Sequence, residues 1–189
     1  MLRRFRPVPY PIHSRLFALA TVAAVALAAP TIAQTEAELA EARGAIEQFE
    51  AAFSAGEYSA LLTAMPPRIL ETIAAQAGIS ADILTAQMET QMTAMMSQMT
   101  LESFGMDLRS ATWGETSTGL TYALVPTQTV MTPPGSDSVR SRTTTLMLNE
   151  AGTWYLIRVD SAQQTDILRQ AYPEFTNVSF PDGSMEVLD

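Results

Sequence analysis

Cysteine and lysine are absent from this chain, and its single histidine, His13, lies close to the start. Without cysteine there is no disulfide framework, no thiolate metal site and no lipid-modified N-terminal cysteine. Without lysine there is no Schiff-base chemistry, and without a later histidine there is no imidazole base or ligand beyond residue 13. Positive charge is also scarce. All 20 acidic residues follow Ala33 but only seven of the 11 arginines do, so the segment after Ala33 carries a charge of −13. Such a surface repels nucleic acid and anionic membranes, and no nucleic-acid partner is expected. Long apolar runs are missing as well. Leu16 to Ala29 is apolar, but it falls short of the ~20 residues that a membrane-spanning helix needs.

That short run has the layout of a secretory leader. Arg3, Arg4, Arg6 and Arg15 supply a positive start, and Thr31-Ile32-Ala33 resembles an A-x-A cleavage site. We therefore expect a signal peptide over residues 1–33, cleavage after Ala33, and a periplasmic protein with no stable membrane span. The Arg3-Arg4 pair leaves the export route open. About 156 residues then remain, enough to bury a sizeable core without disulfides.

The strongest local pattern is Ser141 to Asp160. Thr143 to Leu148 and Thr153 to Val159 are two β-rich runs separated by Asn149-Glu150-Ala151-Gly152, which predicts a β-hairpin. Upstream, Thr35-Glu36-Ala37-Glu38 is a capping box. Leu39, Ala42, Ile46, Phe49 and Phe53 then recur at helical spacing, and Gly56 is placed to stop that helix. A short helix spans Glu57 to Ala64. Pro66-Pro67 opens a third helix, and Ser80 caps a fourth that runs to about Met99. These helices are expected to cover one face of the sheet.

From Leu101 the period becomes two. Phe104, Met106 and Leu108 alternate with Gly105, Asp107 and Arg109, predicting a first strand. Gly114 to Gly119 reads as a turn and Thr121 to Met131 as a second strand. Pro126 within it implies a sheet edge or a bulge. The hairpin adds strands three and four. Ser161 to Gln164 caps a short helix that ends at Tyr172-Pro173, and residues 174–189 form a small hairpin or a tail. Helices followed by consecutive strands predict an α+β domain over residues 34–173, with N-terminal helices on a curved four-stranded antiparallel sheet.

The segment I-E-Q-F-E-A-A-F-S-A-G-E-Y-S-A-L-L, Ile46 to Leu62, resembles the opening of the nuclear transport factor 2-like superfamily. Gly152-Thr153-Trp154-Tyr155-Leu156-Ile157 is similar to that superfamily's closing Gly-x-Trp-x-Ile strand. The resemblance covers roughly Thr35 to Val159. It implies a curved sheet and helices enclosing a cone-shaped pocket, and it implies a possible homodimer. The superfamily holds polyketide cyclases and ketosteroid isomerases as well as non-catalytic binding modules, so fold alone assigns no activity. The chain departs from it in the long helical stretch Pro67 to Met99 and in lacking the histidine of a dehydratase-type His/Asp pair.

Three groups of residues are candidates for chemistry. Met88, Met92, Met95, Met96 and Met99 share one stripe of the fourth helix. As plain apolar residues they pack on the sheet. As polarizable thioethers they suit an adaptable surface or, in an exported protein, Cu(I). Asp107 or Asp160 with Tyr122 or Tyr155 has the group types of a small lyase or isomerase. Arg140 and Arg142 share a strand face and, with Arg158, either clamp an anion or pair with surface acids. The sequence favours a non-catalytic binding or interaction module. Its apolar pocket would be lined by Met88, Met92, Met95, Met96, Met99, Phe104, Met106, Leu108 and Tyr122. Its partner would be a small apolar ligand or a protein, with no metal and no cofactor. The lyase or isomerase and the Cu(I) carrier are the alternatives.

Overall fold

The computed structural model describes residues 35–188; the expected leader and its cleavage point at Ala33 lie outside the described residues. No helix among the described residues is long and apolar enough to cross a membrane. Four helices come first: α1 (Glu36–Ala55), α2 (Tyr58–Thr63), α3 (Pro67–Ala77) and α4 (Ala81–Met96). Strands β1 (Thr100–Met106), β2 (Thr112–Glu115), β3 (Thr121–Thr132), β4 (Ser138–Glu150) and β5 (Thr153–Arg158) follow. Helix α5 (Ala162–Ala171) and a last strand β6 (Ser184–Leu188) complete an α+β fold whose antiparallel sheet curls into half a barrel.

The local signals act as their chemistry dictates. Thr35 and Glu38 form the reciprocal capping box, with Thr35 N–H donating to Glu38 Oε2 at 2.8 Å and Glu38 N–H donating to Thr35 Oγ1 at 3.2 Å. The Thr35 N–H and the Thr35 hydroxyl, both donating to Glu38 Oε2, hold the Glu38 carboxyl below its ordinary value. Gly56 ends α1 in the left-handed region, and Pro67 opens α3. Ser161 caps α5 through Gln164 N–H, while Gln164 Oε1 accepts from Asp160 N–H rather than from the cap residue itself.

The sheet has six strands where the sequence pattern predicts four. β3 and β4 pair over ten residues from Tyr122↔Leu148 to Met131↔Val139. Each offers its outer edge to two short strands. β1 and β2 divide the edge of β3, and β5 and β6 divide the edge of β4. Pro126 lies at the break between β1 and β2. Its carbonyl accepts from Asp107 N–H at 2.9 Å on that outer side. A residue's N–H and C=O point to the same side of a strand, so the donor that proline lacks falls where no neighbouring strand needs it.

The helices cover both faces of the sheet, not the single face expected. Ala42 and Ile46 of α1 pack with Ala123, Val125, Met147, Trp154 and Leu156 on one face. Ile69 of α3 packs with Leu168, Ala171, Tyr172 and Phe175 against Leu146, Leu148, Ile157 and Val159 on the other. The reason is visible in β4, where Leu146, Met147 and Leu148 are all 0% exposed. A continuous apolar run belongs to a strand buried on both sides. The chain changes face between α2 and α3, over the free edge of β5. There Leu156 N–H donates to the Ala64 carbonyl at 2.8 Å, and Pro66 is buried. An edge that would otherwise be open to another chain is thereby closed.

The β4–β5 connection is tighter than the four-residue turn expected. Strand pairing continues to Glu150↔Thr153, leaving Ala151 and Gly152 as the loop with φ of 52° and 84°. Both are left-handed, as a type I′ turn requires, and Ala151 has a Cβ in a conformation that disfavours one. Replacing Ala151 with Asn is expected to raise stability by about 0.5–1 kcal/mol in chemical denaturation. Gly114 of β2 gives the opposite case. A Cβ there would sit 2.4 Å from the Tyr122 ring. Gly114→Ala is expected to lower stability by about 1–3 kcal/mol through forced repacking, read from the same denaturation curves.

Candidate ligand-binding cavity

The face of the sheet that carries α1 is not filled completely. α1, α2 and α4 stand over it and leave a cavity of 280 Å³. One wall is aromatic. Phe49 and Phe53 lie one turn apart on α1, and Phe104 of β1 meets them with ring centroids 5.9 and 4.6 Å away. Leu61 and Leu62 of α2, Leu156 of β5 and five methionines complete the apolar lining: Met65, Met92, Met95, Met96 and Met131. The floor is threonine. Thr127 and Thr129 of β3 and Thr143 and Thr145 of β4 point to this face at period two. Thr127 and Thr145 hydrogen-bond to each other at 2.8 Å, so those two hydroxyls are already engaged. Arg158 stands at the rim with its Nε donating to Asp160 Oδ2 at 2.7 Å, so its charge is matched locally.

Of the residues expected in the lining, Met92, Met95, Met96 and Phe104 come together here. Met88 lies one turn back along α4, and Met99 lies past its end; both are half-buried outside the lining. Met95 is 52% exposed, so the stripe is wider than the cavity. Met106 and Leu108 pack toward Ala42 and Ile46 instead. β1 stops at Met106 because the Asp107 carboxylate accepts from Arg109 N–H at 3.1 Å and from Ser110 Oγ at 2.6 Å, bending residues 108–110 into a short 3-10 turn. Tyr122 is on the opposite face, edge-on to Phe175 with centroids 5.2 Å apart. Phe49, Phe53 and the threonines were legible only as a core stripe and a β-branched run. Their joint role needs the pairing of β3 with β4.

The carboxylate–tyrosine pairs do not converge. Asp107 is exposed and caps the 3-10 turn, and the Ser110 hydroxyl holds its pKa down. Asp160 is half-buried, with its side chain covered and turned to Arg158. Tyr122 and Tyr155 belong to the other core, and burial raises the Tyr122 hydroxyl. No carboxylate or tyrosine is among the described residues lining the cavity. Arg140 and Arg142 close on the chain's own Glu186, each Nη1 at 3.1 Å from Oε2. A larger groove of 820 Å³ runs along Glu47, Glu50, Met106 and Arg142 outside the sheet edge. It is open and charged, whereas small-molecule sites enclose their ligands in apolar walls. Among the described residues no group of acidic or imidazole side chains is arranged to hold a metal ion.

One network lies outside every sequence expectation. Tyr172, fully buried, donates its hydroxyl to Glu150 Oε2 at 3.1 Å, and Arg68 lies over its ring at 4.1 Å and 3.6 Å from Glu150. It ties α3 and α5 to the end of β4. The α+β fold with its curled sheet is compatible with the cone fold of the nuclear transport factor 2-like superfamily. Comparison with protein-family models, curated proteins and solved structures finds no match.

Burial and the Glu150 charge push the Tyr172 hydroxyl far above the ordinary phenol value. The folded state therefore holds this proton where the unfolded state releases it. The resulting stability is full below pH ~10 and falls as pH rises above it toward the raised folded value. Chemical denaturation between pH ~8 and ~11 is expected to show a loss of stability in the parent protein and a much smaller loss in Tyr172→Phe.

Proposed function

We propose that this chain is an exported, non-catalytic binding module whose cavity takes a small apolar or amphipathic ligand. The observation that supports this most is the 280 Å³ space itself, walled by phenylalanine, leucine and methionine and floored by threonines. Apolar walls gain about 25 cal/mol for each Å² they remove from water, so an occupant that fills them is held mainly by burial. The threonines and the Arg158–Asp160 pair at the rim offer hydrogen bonds to a polar group without a net charge to match. Methionine side chains adapt their shape, which suits a family of related ligands rather than one. The separation of the carboxylates from the tyrosines argues against the lyase or isomerase alternative. The leader expected from the sequence puts the activity in the periplasm, and the kinship with non-catalytic nuclear transport factor 2-like modules belongs to the same proposal. The convergence of five methionines supports a second reading, Cu(I) held by thioethers.

The test is a fluorescence titration with the apolar dye N-phenylnaphthylamine, beside a native mass spectrum of protein purified without refolding. Thr129→Trp plugs the floor and is expected to weaken dye binding at least about tenfold, a loss of ~1.4 kcal/mol, with little change in thermal stability. Equal dye affinity in the parent and the plugged protein would overturn the cavity as the site. Cu(I) titration against a competing chelator separates the second reading. Loss of high-affinity copper in the Met92→Leu, Met96→Leu double variant would support it, and weak copper binding in the parent would end it.

A further inference from the structure

β4 is longer than β5 can cover. β5 takes Thr145 to Glu150, and β6 takes Ser138 to Arg142. Little holds β6 in place. Met185 and Val187 are 75% and 62% exposed and only Leu188 is half-buried, so burial contributes little. What remains is the backbone ladder and Glu186. Both Arg140 and Arg142 direct an Nη1 to the same oxygen, Glu186 Oε2, at 3.1 Å. Arg140 Nε is buried and has no hydrogen-bond partner among the described residues. A guanidinium meets a freely placed carboxylate with two parallel bonds, so the clamp is only partly used by its present occupant.

The leash explains the imperfect seat. Arg169 Nη2 donates to the Val178 carbonyl at 3.2 Å, and the Phe180 ring lies 6.3 Å from that of Phe175. Pro181, Asp182 and Gly183 alone separate that anchor from β6. Gly183 squeezes past Asp160, where a Cβ would lie 2.9 Å from Oδ2, and donates its N–H to the Asp160 carbonyl at 3.3 Å. Asp160 cannot give way, because Arg158 holds it.

We propose that the Ser138–Arg142 edge is an acceptor site for an extended segment carrying a carboxylate between apolar residues, and that its occupant in trans is β6 of a second copy of this chain. Every molecule carries both the donor strand and the acceptor edge. Exchange keeps the ladder and the arginine clamp while opening the tight passage of the three-residue leash beside Asp160. Swapping an identical element in this way is a low-cost route to a dimer. The charges are complementary, two arginines against one glutamate, and an unfilled edge would leave the arginines facing each other across one strand position.

A charge-reversal pair tests this in the full chain. Glu186→Arg places a cation before the clamp, and Arg140→Glu with Arg142→Glu reverses the clamp. Each protein alone has a repelled strand, and each is expected to stay monomeric in light scattering with parent-like circular dichroism. Mixed, each supplies what the other lacks, and the dimer fraction is expected to exceed that of either alone by about tenfold or more. Inserting Gly-Ser-Gly after Asp182 lengthens the leash, relaxes the seat within one chain and is expected to lower the dimer fraction about tenfold. A mixture that stays monomeric, or a dimer fraction indifferent to the longer leash, would overturn the proposal. Neither outcome bears on dye binding in the cavity.

Discussion

The pairing of β3 with β4 is the constraint on which the other parts depend. Its ten-residue register decides which side chains of both strands share a face. One set, Ala123, Val125 and Met147, meets α1, and the alternate set, Leu146 and Leu148, meets α3 and α5. A slip by one residue would send the threonine floor of the cavity to the opposite core and bring leucines to the cavity. The hydroxyl pair between Thr127 and Thr145 helps to fix that register, because it is buried and forms only when the strands are aligned as they are. The cavity is a by-product of the same geometry. The methionines of α4 reach over the sheet without filling the space beneath them.

Much of the fold was legible because it rests on local chemistry. The capping box at Thr35, the stop at Gly56, the start at Pro67 and the β4–β5 hairpin are decisions made within a few residues, and each stands where the sequence puts it. Pro126 lies in an interior strand, not at the sheet edge or bulge its residue type suggests, and is tolerated there because it falls in the gap between β1 and β2. The misreadings arise where a local pattern met a competing interaction. Alternation from Phe104 to Leu108 predicts one strand, but the Asp107 side chain captures two following groups and turns the chain at Leu108. Two strands, β2 and β6, are too short and too exposed to carry a periodic signal. Which face a helix covers is a long-range matter that periodicity within the helix does not carry.

The candidate site was legible in kind but not in membership. A methionine stripe on a helix announces an adaptable apolar surface, and Met92, Met95 and Met96 belong to the cavity. Met65 and Met131 come from other elements, and sequence periodicity on α4 has no access to them. Tyr122 was misplaced because an aromatic on a strand reads the same on either face. Gly114, across the ladder from it, marks the side on which its ring lies, since only a residue without a Cβ leaves room for that ring.

The bond from Leu156 to the Ala64 carbonyl joins residues far apart in the chain, and it has a consequence for the order of assembly. A ribosome delivers α1, α2, α3 and α4 before any of their sheet partners exists. Helices with few internal contacts are marginal on their own, and non-local closure is slow. The edge over which the chain must pass to bring α3 to its face is not made until β5 has been synthesised. The helical half therefore waits, apolar stripes unsatisfied, until nearly the whole protein has emerged. During that interval its apolar stripes are exposed, so aggregation competes with folding until β5 arrives.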